Sequence, residues 1–301
     1  MQKIIVIEGP TASGKTDLGI QLARQFKGEV ISADSRQIYK HLDIGTAKPV
    51  PDDAGTGFSV QGIPHHLMDC IEPDEPYSMQ LFKDQVVAAA QDIAERGNVP
   101  FLVGGTALYI KAIVDNFDVP RVEPNVVLRA KFEQEDVATL YKRLQLLDSD
   151  AAALTGPDNK RRIIRALEVI VQTGLPFSQQ RQKGEPLFTV LEIGIAVAPE
   201  VLRERIDRRV DEQIERGLVA EVEGLLAAGY RPNLPALSAV GYKEIIAYLQ
   251  GTITQERAIA LIKRNARYYA RKQMQWFSRN PRVNWVQNAT EAAALVRQFL
   301  K

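Results

Sequence analysis

The sequence predicts an α/β fold: a parallel sheet flanked by helices, interrupted by an all-helical insertion domain. Three observations predict it. Continuous apolar, β-branched runs at Ile4-Ile5-Val6-Ile7 and at Val99 to Val103 have the character of strands buried on both faces. Segments with apolar residues at helical spacing separate them, and such alternation indicates a parallel sheet wrapped on both sides. The alternation stops near Pro120, and from Pro124 to Gln182 amphipathic segments follow one another with no strand pattern.

Each element has its own reason. Ile4 to Ile7 is followed by a glycine-containing turn and then by Thr16 to Phe26, where Leu18, Leu22 and Phe26 recur at helical spacing. Val30-Ile31 leads into Ser32-Ala33-Asp34 as a second short strand. The stretch Pro49 to Gly62, rich in Gly, Pro and Asp, is expected to be a mobile surface loop. Leu81 to Ala94 predicts a helix, Val99 to Val103 a strand, and Thr106 to Val114 a helix. In the insertion, Asn159 is a suitable N-cap and Gly174 a suitable stop for a helix whose apolar face is Ile163, Leu167, Ile170 and Val171. Val190 to Val197 is a returning buried strand, with long charged helices from there to the C-terminus. The expected domains are residues 1–117 with 190–301 as the core and 118–189 as the helical insertion.

Composition excludes several classes. At 301 residues, with 45% apolar and 25% charged, the chain can bury a sizeable core in one or two domains and is neither disordered nor fibrous. A net charge of +1 means that any basic site is a local concentration. The single cysteine, Cys70, excludes a disulfide framework and a multi-cysteine zinc site, and is expected to be a small core residue. No apolar run approaches the roughly 18 residues of a membrane span, and Glu8 ends the opening apolar run too early for a signal peptide. A cytoplasmic protein with no membrane association is expected, and no obligate protein partner is inferred.

Gly9-Pro10-Thr11-Ala12-Ser13-Gly14-Lys15-Thr16 fits G-x-x-x-x-G-K-[ST] at every fixed position, between an expected strand and an expected helix. Backbone N–H groups converge on phosphate oxygens in such a loop, and the helix N-terminus adds positive potential. Lys15 supplies a point charge and the Thr16 hydroxyl a ligand for magnesium. The sheet is therefore P-loop NTPase-like. An NTPase also needs an acid at the end of an apolar strand, but Pro100-Phe101-Leu102-Val103 runs into Gly104-Gly105-Thr106 without one. What remains is a site that grips a diphosphate or triphosphate and transfers something.

Several segments together resemble the tRNA dimethylallyltransferase (tRNA isopentenyltransferase) family. They are Gly9 to Thr16, Asp34-Ser35-Arg36-Gln37-Ile38-Tyr39, Gly45-Thr46-Ala47-Lys48-Pro49, Pro64-His65-His66-Leu67-Met68-Asp69 and Val103-Gly104-Gly105-Thr106. The series continues with Arg161-Arg162-Ile163-Ile164-Arg165-Ala166-Leu167-Glu168, Gly241-Tyr242-Lys243-Glu244 and Tyr269-Ala270-Arg271-Lys272-Gln273, ending in Trp276-Phe277. They occur in the family's order along nearly the whole chain. Ala107 stands where the family often has glycine, and Ser238-Ala239-Val240 differs from the usual run. With one cysteine the chain is similar to the bacterial type, without the zinc finger of eukaryotic members. The resemblance implies that an adenine amine, 3′ to the anticodon, attacks dimethylallyl diphosphate, and that diphosphate leaves from the loop.

Residue roles follow from that resemblance. The attacking amine must shed a proton, and Asp34 is the implied base; its bland alternative is an N-cap. Ser35 and Gln37 are expected to hydrogen-bond the adenine or its neighbours, and Asp34 and Arg36 are counted with them as tRNA contacts. Thr106 is assigned to the reacting region at the strand end, and could equally cap the following helix. Lys48 is either a phosphate or tRNA contact or a solvated loop lysine. His65-His66 with Asp69 invites a metal reading, but adjacent histidines point apart, and structural hydrogen bonding is the stronger expectation.

From Arg257 to Arg282 lie eight cations and no acid, leaving −7 for the remainder. Lys263, Arg267 and Arg271 recur every four residues as one basic helix edge and are candidate tRNA contacts. Tyr268, Tyr269, Trp276 and Phe277 are interleaved as stacking surfaces, although Trp276-Phe277 is expected to pack in the core. Lys160, Arg161, Arg162 and Arg165 open the insertion's helix, and the family uses this region for the anticodon stem-loop. Arg161, Arg162 and Arg165, with Arg129, are therefore candidate tRNA contacts. Two competing readings remain. One is a P-loop small-molecule or nucleoside kinase, with Arg203, Arg205, Arg208 and Arg209 as a lid; the other is a nucleotide-dependent RNA-binding switch.

Overall fold

A computed structural model describes residues 1–52, 57–117, 120, 122–180 and 183–301. They fall into two compact units, Met1–Val114 with Leu187–Lys301, and Asp115–Pro186. None of the described helices is long and apolar enough to cross a membrane.

The first unit is built on β1 (Lys3–Glu8), α1 (Lys15–Gln25), β2 (Gly28–Ser32), β3 (Ser59–Val60), β4 (Ile63–His66), α2 (Met79–Glu95), β5 (Val99–Gly104) and α3 (Ala107–Val114). The second unit holds α4 (Val126–Glu133), α5 (Val137–Leu147), α6 (Ser149–Thr155) and α7 (Lys160–Thr173). The chain then completes the first unit with β6 (Thr189–Ile195), α8 (Pro199–Glu215), α9 (Leu218–Ala227), α10 (Tyr242–Leu249), α11 (Gln255–Phe277), β7 (Asn284–Val286) and α12 (Ala289–Leu300).

The sheet order is β3-β4-β2-β5-β1-β6-β7. Every pair is parallel except β3–β4, which is antiparallel. Central β1 pairs Val6 with Leu102 on one side and with Glu192 on the other. Its alternate residues feed two cores: Ile5 and Ile7 face Leu22, Phe101 and Val296, while Ile4 and Val6 face Phe82, Ile110 and Phe277. A third core joins Ile38 and Leu42 to Tyr242, Ile245 and Ile262 of the C-terminal helices.

Four expectations need correction. The sheet is mixed at its edge, because Gln61 and Gly62, with φ of 53° and 77°, turn β3 back against β4. Ser59–Val60 is therefore a strand within the stretch expected to be a loop, of which residues 53–56 lie outside the described set. The C-terminal region is not helical throughout: Asn284–Val286 adds an edge strand too short to show a period. Cys70 is exposed rather than in the core.

In the second unit α7 begins and ends at the expected residues. The Asn159 side chain accepts from the Arg162 N–H, and Gly174 turns left-handed at φ 72°. Ile163, Ile164, Leu167 and Ile170 are buried against Phe132, Leu140 and Leu144. Val171, expected on that face, is 58% exposed; Ile164 and Ala166 take its place.

Candidate active site

The phosphate loop links the buried end of β1 to α1. Ala12 and Gly14 take positive φ, 62° and 92°, which turns the chain tightly into the helix. The N–H groups that open α1 have no intrahelical partner, so they present a ready anion site. Two residues assigned to this cradle supply no backbone donor to it. Pro10 has no N–H, and its carbonyl accepts from Lys15 Nζ at 3.1 Å. The Thr11 N–H is taken by Gln273 Oε1 at 2.9 Å. Gly9, Ala12, Ser13, Gly14, Lys15 and Thr16 complete the loop, with the Ser13 hydroxyl buried and unpaired.

Lys15 is half-buried with its ammonium at the enclosed end. Burial lowers its pKa to about 8; the Asp34 charge opposes that shift and Arg209 adds to it. Arg209, on α8, donates from Nη1 to the Thr11 hydroxyl at 3.2 Å. Burial lowers its pKa too, against the neighbouring Asp17, Glu212 and Asp34. Of the four arginines proposed for a kinase lid, only Arg209 meets the loop; Arg203, Arg205 and Arg208 are exposed.

Asp34 and Thr106 stand at the ends of adjacent strands. Gly104 lets them approach, since a Cβ there would lie 2.3 Å from the Ala33 carbonyl oxygen. The Thr106 hydroxyl accepts from the Ser35 N–H at 3.0 Å and lies 3.4 Å from the Ser35 hydroxyl. Its side chain therefore pins the Asp34 segment, while its carbonyl accepts from the Tyr109 and Ile110 N–H groups that open α3, so both readings hold. Asp34 Oδ1 accepts from the Arg36 N–H at 2.9 Å, a local turn rather than a helix cap. Tyr269 of α11 lies beside Thr106 and within reach of the Asp34 charge. Tyr269 is 45% exposed, yet burial, then the Asp34 charge, push its pKa up to about 12. The structure thus brings together the phosphate loop, Asp34, Ser35 and Thr106, all within the first unit, and adds Arg209, Tyr269 and Gln273.

Arg36 and Gln37 are committed elsewhere. The Arg36 guanidinium donates to the Pro235 carbonyl at 2.6 Å, and the Gln37 amide donates to the Thr46 carbonyl at 3.2 Å. The Gln37 side-chain oxygen is left for a base. Lys48 meets neither expectation: it is buried, bonded to Asp43 at 2.6 Å and Asp69 at 2.7 Å. Asp69 is thereby taken as well. His65 bonds the Ile63 carbonyl oxygen and His66 bonds Glu29, so their roles are structural. Glu29 is held below the usual carboxylate range: burial would raise it, but bonds from Arg96, Asn98 and His66 outweigh that. No group of three His, Cys, Asp or Glu that could hold a metal occurs among the described residues.

The basic stretch of α11 is less free than its sequence suggests. Lys263 pairs with Asp211 at 2.6 Å and Arg267 with Asp207 at 2.9 Å, both acids on α8. Arg264, Arg271 and Lys272 are exposed, and Arg271 and Lys272 lie over the Tyr268 ring at 5.4 and 5.5 Å. Phe277 is buried as expected; Trp276 is not, being 46% exposed under Lys111 at 5.7 Å.

In the second unit a buried carboxylate organises the candidate cations. Glu168 takes two bonds from Arg129 at 2.8 Å each, one from Arg165 at 2.6 Å and one from the Asn125 N–H at 2.7 Å. Burial would raise its pKa, but these donors hold it below the usual range. Arg129 and Arg165 are thus structural partners of Glu168. Arg161 and Arg162 are exposed, with no ion pair among the described residues.

Fold and site define a class: a P-loop α/β protein whose phosphate loop faces an aspartate and a threonine on neighbouring strand ends, with no acid closing β5. The chain matches the family model described as IPP transferase over residues 37–280 and that described as isopentenyl transferase over residues 2–57. It is 44% identical to the tRNA dimethylallyltransferase of Roseiflexus sp. (strain RS-1), covering 100% of this chain and 99% of the relative. Against that of Pelotomaculum thermopropionicum the identity is 40%, over 100% and 96%. Among solved structures, the tRNA isopentenylpyrophosphate transferase of Bacillus halodurans is 37% identical with a TM-score of 0.73, over 100% of this chain and 96% of that one. A eukaryotic dimethylallyltransferase acting on tRNA is 29% identical with a TM-score of 0.79, over 100% and 78%. The chain belongs to the IPP transferase family.

Proposed function

We propose that the protein transfers a dimethylallyl group from dimethylallyl diphosphate to the exocyclic amine of the adenosine 3′ to the tRNA anticodon, releasing diphosphate, in the cytoplasm. The observation that carries this reading is the placement of Asp34 and Thr106 opposite the phosphate loop, in a chain similar along its whole length to tRNA dimethylallyltransferases.

The amine nitrogen attacks the first allylic carbon as the bond from that carbon to the diphosphate oxygen breaks. Asp34 takes the proton that the amine loses, and Thr106, fixed by Ser35, orients the amine. Charge builds on the leaving oxygen, where the α1 N-terminus, Lys15 and Arg209 converge. Magnesium fits the loop in a limited sense. With no metal-binding cluster of acids among the described residues, Thr16 and the diphosphate oxygens would hold it, as suits an ion that retains its waters. When bound it would neutralise leaving-group charge.

The RNA contacts we assign are Arg161 and Arg162 in the second unit and Arg264, Arg271 and Lys272 in the first, with Tyr268 and Tyr269 as stacking surfaces. The test is incubation with tRNA lacking the modification and dimethylallyl diphosphate, followed by mass analysis of the nucleosides. Adenosine should gain one dimethylallyl group. Consumption of ATP without that gain would favour a kinase or switch.

A further inference from the structure

Gln273 is the only described side chain that bonds both halves of the candidate site. Its Oε1 accepts the Thr11 N–H of the phosphate loop at 2.9 Å, and its Nε2 donates to the Gly105 carbonyl at 2.7 Å. The side chain is 6% exposed and fits without slack: a Cβ on Gly105 would lie 2.5 Å from its Nε2. Thr11 belongs to the loop that would hold the leaving group. Gly105 precedes Thr106, which bonds the Ser35 N–H and so anchors the Asp34 segment. One carboxamide thus spans the diphosphate side and the acceptor side.

We propose that Gln273 is a positioning residue that sets the distance between the bound diphosphate and the Asp34–Thr106 pair; this rests on the transferase reading above. The chemistry specifies the residue. One end must accept from an N–H and the other must donate to a carbonyl, and a neutral carboxamide does both. A carboxylate can only accept. It would face the Gly105 carbonyl oxygen with no proton and place negative charge beside an anion site. A protonated carboxyl, however, restores the pair, because its carbonyl accepts and its O–H donates. Misplacement by about 1 Å can cost 10²-fold in rate without loss of binding.

That asymmetry supplies the test. Gln273→Met should lower kcat about 10²-fold with the KM for tRNA little changed, at every pH. Gln273→Glu should show a similar deficit at alkaline pH that shrinks at least about tenfold, relative to wild type at the same pH, as the carboxyl protonates. Calorimetric binding of inorganic pyrophosphate should follow the same pattern in Gln273→Glu, and it needs no turnover. If wild type binds pyrophosphate but transfers nothing to tRNA, the transferase reading falls and this proposal with it. If wild type transfers normally while the Glu variant is wild-type-like at alkaline pH, or has a deficit that pH does not move, the positioning role alone is overturned. Should Gln273→Met fail to fold, the nearly isosteric Glu variant carries the comparison by itself.

Discussion

Arg209 reaches from the middle of α8 to the Thr11 hydroxyl at 3.2 Å, making the phosphate loop doubly cationic with Lys15. Its guanidinium is enclosed and close enough to Asp34 to feel that charge. An arginine in this position has two uses: it balances the half-buried Asp34 at rest, and it meets the charge that builds on a leaving diphosphate. Arg209→Ala should lower kcat/KM for dimethylallyl diphosphate by roughly 10² to 10³. Arg209→Lys should recover part of that loss, because it restores a point charge without the planar fork. Steady-state kinetics with varied diphosphate check this, and unchanged constants in both variants would remove Arg209 from the site.

Lys15 gives the site a pH limit. Its pKa is lowered to about 8, so its ammonium is kept below that pH and lost above it. Diphosphate affinity should therefore fall as pH rises through about 8, and binding near that pH should take up a proton, since the anion favours the charged form. Calorimetry of pyrophosphate binding in buffers of different ionisation enthalpy would measure the uptake. Lys15→Arg keeps its charge and should lose the dependence, whatever its absolute affinity.

Asp34 is separable from RNA binding. Asp34→Asn keeps the shape and the bond to the Arg36 N–H but cannot take a proton. Single-turnover transfer should slow by about 10² to 10⁴ while tRNA affinity stays within a few-fold. A variant with near-wild-type transfer would require another base, and Tyr269, held protonated with a pKa of about 12, is a poor substitute.

How much of this was legible in sequence depended on distance along the chain. The phosphate loop and α7 were readable because their signals are local: a glycine pattern between strand and helix, and an Asn159 cap with a Gly174 stop. Gln273 and Arg209 carried no local signal. Their bonds to Thr11 join residues 262 and 198 apart, which only the sheet order brings together. The basic edge of α11 misled for the same reason. Asp207 and Asp211 share the four-residue spacing of Lys263 and Arg267, but their antiparallel pairing belongs to tertiary packing. Glu168 ties up Arg129 and Arg165 by being buried, a property that no short window of sequence declares.

The insertion's contribution to RNA affinity should reside in Arg161 and Arg162, the exposed pair at the start of α7. Replacing both with Ala should weaken tRNA binding and reduce the slope of log affinity against log salt by about 1.5, the effect of losing roughly two phosphate contacts. The same change at Arg165 should act mainly on stability, through the uncovered Glu168 carboxylate. Salt titrations beside thermal melts separate the two. A slope unaltered by the double substitution would exclude this helix end from the RNA surface.

Glu8 closes β1 just before the phosphate loop, 1% exposed, and its Oε1 has no hydrogen-bond partner. Burial first, then the Glu192 charge, push its pKa up to about 8, with Arg282 opposing. An unfolded chain ionises the same group near 4.5, so between those values the folded protein holds a proton that the unfolded chain has released. The contribution of Glu8 to stability then falls as pH climbs from about 4.5 to about 8, and it is fully present only below that window. Glu8→Gln keeps a neutral side chain of the same size at every pH and escapes the loss. Its melting temperature, relative to wild type, should rise on the order of 5 °C between the acid and alkaline ends of the window. Melts across that range decide it: a variant curve parallel to wild type would mean that Glu8 is ionised in the folded protein throughout.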